Sequence, residues 1–177
     1  MNTASAPHTD TRLARSVALA EQRRQVLESG IRAVLDWALA LWGRRLEWAA
    51  VNPDEAAGIY SKMTVLDHQA HGVQRAVRGS HDLAESSLHS PALRAKIGAA
   101  ASAMATVASS LNAALHCLTP RVATGDVAGR SLSACLQMAT RFLRTSLQAS
   151  STLAGELTAA ATMCRPGPPL PAAQAQP

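Results

Sequence analysis

The residues in this chain that could do chemistry are few, and their spacing limits them. His68 and His71 stand three apart with Asp67 beside them. On a helix such a histidine pair can hold a metal ion, but no second pair and no nearby cysteine completes a four-ligand set. A helical wheel spreads the three around a polar side, so a solvated face is the expectation. His116 and Cys117 are adjacent. Neighbours on a helix point about 100° apart, which suits packing rather than a nucleophile and its base. Cys117, Cys135 and Cys164 form no CxxC pair and are odd in number. A disulfide framework is therefore not expected, and a reducing compartment is. No glycine-rich phosphate loop occurs. The carboxylates mostly have a basic residue three or four positions away, as Glu28 and Asp36 have in Arg32, which is the usual dressing of a solvated helix. The expectation is a protein without catalytic residues, metal or cofactor.

The residues that stand out are aromatic. The three tryptophans, Trp37, Trp42 and Trp48, fall in one stretch of a 177-residue chain whose other aromatics are Tyr60 and Phe142. Advancing about 100° per residue, Val34, Leu35, Ala38, Leu39, Leu41, Trp42 and Leu46 fall on one side, with Arg32, Asp36 and Glu47 opposite. The apolar arc covers about 200°, against the ≳100° of an ordinary amphipathic helix. Trp42 lies near its centre and Trp37 and Trp48 at one edge. This assigns Trp42 and Leu46 to a core and makes Val34, Trp37, Leu41 and Trp48 the candidate contact with an apolar surface or a partner, because boundary indoles favour places where one edge stays wet.

The elements that must position these residues are helices. The chain is 47% hydrophobic but 3% aromatic, rich in Ala and Leu, which are strong helix formers. The expected fold is all-α: an elongated bundle or coiled coil of three to four long amphipathic helices, spanning about 10–51, 53–88, 91–118 and 127–164. Residues 1–9 are expected to be disordered, and so is the Pro-rich tail 165–177. Gly30 reads as a weak point in the first helix. Asn52-Pro53-Asp54-Glu55 combines an N-cap, a proline at the first helical position and an acid three residues after the cap. The second helix then carries Ile59, Met63, Leu66, Ala70, Val73, Val77, Ser80 and Ala84 at strict 4-3 spacing, a heptad seam. Ser90-Pro91 repeats the cap, and Leu93, Ile97, Ala100, Met104, Val107, Leu111, Ala114 and Leu118 repeat the seam. Thr119-Pro120 is expected to stop that helix. The fourth keeps the pattern through Leu136, Leu143, Leu153 and Leu157.

Charge does not single out a polyanion. The net charge is +5, but residues 1–96 hold 12 basic against 10 acidic side chains, and no Lys/Arg run exceeds two. Nucleic acid is therefore not the expected partner. Ile97 to Leu118 carries no formal charge, yet its Ser, Thr, Asn and His content suits a bundle helix better than a membrane span. The first sixteen residues lack the apolar core of a secretory signal, which points to the cytoplasm.

The run from Trp37 through Leu41, Trp42 and Leu46 to Asn52-Pro53-Asp54-Glu55-Ala56, followed by Tyr60, Met63 and Gln69, resembles the central part of phasins, over about residues 25–90. Phasins are small, helix-rich, Ala-rich bacterial proteins that coat intracellular polyhydroxyalkanoate granules. The resemblance implies a non-catalytic coat protein, homo-oligomeric and granule-associated, whose amphipathic helices bind the polymer surface. The bare physics also admits a helical interaction module (an adaptor, chaperone or regulatory subunit) or a peripheral membrane-surface protein.

Overall fold

The computed structural model describes residues 7–44, 53–86, 89–122 and 132–164. Four helices account for nearly all of them: α1 (Pro7–Gly43), α2 (Pro53–Ser86), α3 (Pro91–Val122) and α4 (Leu132–Met163). Each packs against its neighbours in the ring α1–α2–α3–α4–α1, so the fold is a closed four-helix bundle. Cross-helix bonds show the direction of the pairs. In α1 and α2, Ser16 meets Ser80, Arg23 meets Gly72 and Trp37 meets Glu55. In α3 and α4, Lys96 meets Glu156 and Val107 meets Ser146. As one number rises the other falls, so both pairs run antiparallel.

The expected seams of α2 and α3 are buried at every position, from Ile59, Met63, Leu66, Val73 and Val77 to Ile97, Met104 and Leu111. In α4 the buried set is Leu136, Ala139, Leu143, Ser146, Ser150, Leu153, Leu157 and Ala160, again 4-3. α1 differs from the sequence reading. In place of one wide arc near its C-terminus, it has a heptad seam along its whole length: Leu13, Val17, Ala20, Arg24, Leu27, Ile31, Val34, Ala38 and Leu41 are all buried. A charged residue at the fourth of these positions hides the pattern.

Helix ends follow local chemistry. At α3 the Ser90 hydroxyl accepts the Leu93 N–H at 3.2 Å, and Pro91 fills the first helical position. α2 opens with Pro53 and then Asp54 and Glu55, acids that suit the positive end of the helix. Two boundaries correct the sequence reading. α1 already starts at Pro7, a residue preset for a first turn, so residues 7–9 are helical. α3 runs through Thr119 and Pro120 to Val122; a proline so close to a helix end forfeits one backbone bond without stopping the helix. The Asn52 cap and the start expected for the fourth helix near residue 127 lie outside the described residues, as do Leu46, Trp48 and the Pro-rich tail.

Gly30 also takes a different meaning. A Cβ built there would overlap Leu66 Cδ2 and lie 3.2 Å from Gln69 Oε1. The missing side chain is what lets the buried Leu66 of α2 reach the α1 backbone, a close approach open to glycine.

Candidate functional site: the outer face of α1 and α2

Two of the residues expected on a binding edge are in the core. Val34 is 1% exposed and Leu41 0%, because both fall on the 4-3 seam that faces α2 and α4. A wide apolar arc does not reveal which of its edges points inward. Trp42 is half-buried against the core cluster, and so is Trp37. The Trp37 indole is also committed to a corner: Nε1 donates to Glu55 Oε1 at 3.1 Å, and Arg44 Nη2 donates to the same oxygen at 2.6 Å. These bonds tie the end of α1 to the first turn of α2. Arg44, then the indole N–H, hold the Glu55 carboxyl below its ordinary pKa.

Exposed apolar side chains lie elsewhere. Of the five large hydrophobic residues exposed among the described residues, four are on α1 and α2: Leu19 (43%), Val26 (53%), Tyr60 (50%) and Val65 (52%). Leu19 and Val26 are seven apart, two turns on one helical line. They border a groove of about 410 Å³ between α1 and α2, whose other wall includes His68, Gly72 and Arg75. These residues carried no sequence signal beyond isolated apolar letters among charged ones. The usable signal is the seam itself: once Leu13, Val17 and Ala20 are set inside, Leu19 must point out.

The buried charge is Arg24, 7% exposed in the α1–α4 seam. Its Nε and Nη2 donate to the two oxygens of Glu21 at 2.7 and 2.8 Å, and Nη1 donates to Glu28 and to Ser150 of α4. Ser150 in turn donates to Glu28, and Arg32 pairs with Glu28 at 2.7 Å. Every strong donor and acceptor is engaged, which a buried charge requires. For Glu21 burial pushes the pKa up, and bonds from Arg24 and Gln25 outweigh it, leaving the pKa lowered. Glu28 is lowered chiefly by Arg32, against its burial and with help from Arg24. A second polar joint connects α1 to α2. Ser80 donates to the Ala76 carbonyl, so Ser16 is the donor to Ser80, at 2.8 Å. Both clusters are structural: each joins two helices through paired polar groups.

Among the described residues no group of three His, Cys, Asp or Glu side chains could hold a metal. His71 accordingly turns Nδ1 to the backbone carbonyl of Asp67, at 2.8 Å on an exposed face. His116 is exposed while Cys117 faces the core, so the pair diverges. α3 is the one helix among the described residues long and apolar enough to cross a membrane by length and composition; in the bundle it packs between α2 and α4.

Compared with protein-family models, with curated proteins and with solved structures, the chain matches none.

Proposed function

We propose that this bundle is a non-catalytic, phasin-like coat protein that binds the surface of polyhydroxyalkanoate granules in the cytoplasm, as a homo-oligomer, with the outer face of α1 and α2 toward the polymer. The single observation that carries the reading is the gathering of exposed Leu19, Val26 and Val65 on the side where those two helices meet; Tyr60, five residues before Val65 and so about 140° around α2, lies on the other flank. Surface apolar residues scattered singly need no explanation, but a group on one side marks a contact. Burying such side chains against polyester gains about 25 cal/mol per Å². Arg12, Arg15, Lys62, Arg78 and Asp82 are exposed and would hold the coated particle in water. The resemblance of residues 25–90 to phasins supports the choice of polymer over other apolar surfaces.

A fluorescent fusion of the full chain in a polymer-accumulating bacterium tests this. Rings around the granules are the expected outcome, and their loss in Leu19→Ser/Val26→Ser/Val65→Ser, with helix content unchanged, would identify the face. A fusion that stays diffuse among filled granules overturns the reading.

A further inference from the structure

We infer that the groove between α1 and α2 is a binding site for a single long-chain carboxylate, the apolar chain lying along Leu19 and Val26 and the head group held by Arg23 and Arg75.

Three features of the groove point to this ligand. Its apolar side is exposed Leu19 and Val26. Its polar side is cationic. Arg23 and Arg75 both line it, and neither has a carboxylate partner among the described residues; Arg23 spends one N–H on the Gly72 carbonyl at 3.1 Å and keeps the rest of its guanidinium fork. The contrast with Arg24 next door, held by two carboxylates, is informative. Third, Gln69 lines the groove, its carboxamide oxygen buried against Gly30 of α1 and its N–H₂ a further donor for an anion. Its carboxamide holds no hydrogen bond among the described residues, so turning its N–H toward an anion sacrifices none.

Size selects a small amphiphile over a protein. The volume of about 410 Å³ falls at the low end of small-molecule pockets, ~300–1,000 Å³. The stretch from Leu19 to Val26 is about 10 Å long at 1.5 Å per residue. A stable protein interface needs about 800 Å² on each partner, far more than two turns of two helices supply. Planar guanidinium groups match a carboxylate in geometry as well as charge. This site stands apart from the coat reading, because it is assayed in solution with no polymer present.

The test is calorimetric titration of the full-length protein with dodecanoate below its micelle concentration. Saturable one-to-one binding is expected, with dodecanol binding about tenfold or more weakly. Arg23→Gln/Arg75→Gln should weaken dodecanoate about tenfold or more while leaving the melting temperature and circular dichroism unchanged. Should that double variant fail to fold, Arg75→Gln alone, at an exposed position, gives the same reading with a smaller shift. Val26→Asp, which sets a negative charge inside the groove, should abolish binding. The inference is overturned by absence of saturable binding, by equal affinity for the alcohol, by variants that bind as the wild type does, or by binding to phosphatidylglycerol vesicles only. An Arg23→Gln/Arg75→Gln protein that still rings granules but has lost dodecanoate would separate this site from the coat function.

Discussion

The two halves of the bundle are built differently. α3 and α4 form its most closely packed pair. Their interface is Ala and Ser between Leu layers, and their hydroxyls turn back to backbone carbonyls, as Ser110 does to Thr106 and Ser146 does across the seam to Val107. Small side chains let the backbones close up, and among the described side chains of α3 no large apolar one is left exposed. α1 and α2 meet less closely, through one glycine at Gly30, one serine pair and a tryptophan corner. Their larger side chains leave a groove and exposed apolar atoms outside. One pair works as scaffold, and the other keeps surface in reserve. Two pairs of helices in one bundle can bury their seams equally and still differ in how much apolar surface they leave outside.

Breaking this contrast begins with volume. Leu111→Ala in the scaffold should lower the unfolding free energy by about 3 kcal/mol, while Leu19→Ala on the outer face should change it by less than about 0.5 kcal/mol; urea titration reads both. Arg24→Ala comes next. It leaves Glu21 and Glu28 in a partly dry seam without their guanidinium, at a cost of about 2–4 kcal/mol. Because both carboxyls have folded pKa values lowered from 4.5, their stabilisation is complete above the unfolded value and is lost as pH falls through the lower folded one. Wild-type stability should therefore drop on acidification below about pH 4.5, and Glu21→Gln/Glu28→Gln should flatten that part of the curve.

Glycines sharpen the comparison further. A Cβ at Gly30 presses on Leu66, whereas one at Gly98 of α3 meets nothing within 4 Å. Gly30→Ala should cost about 1 kcal/mol, overpacking outweighing the gain in helix propensity. Gly98→Ala should gain about 0.5–1 kcal/mol. A small effect is also expected of Trp37→Phe, which removes the indole bond to Glu55 and should cost under about 1 kcal/mol, visible as a small drop in melting temperature.

Much of this architecture was legible in the sequence, for a physical reason. In α2 and α3 nearly every seam position is apolar, so a 4-3 count finds them, and Ser90-Pro91 marks a helix start by chemistry local to four residues. In α1 tertiary structure overrides local pattern. Arg24 occupies a seam position because Ser150, far along the chain, meets it there. Gly30 looks weak in a one-helix view because its partner Leu66 is invisible there. A wheel ranks apolarity but does not orient it, so it sets Val34 and Leu41 on a surface, and it gives no sign of Leu19, Val26 and Val65, because exposure is a property of the assembled ring.

The crowding of indoles into positions 37, 42 and 48 also decides what spectroscopy can see. Emission from Trp37 and Trp42 reports on one end of α1, beside the corner with Glu55. Far-ultraviolet dichroism weighs all four helices alike. Superimposable denaturation curves from the two signals would mean that the reserve pair and the scaffold unfold as one cooperative unit; emission changing first would mean that the α1–α2 corner loosens while the rest stays helical.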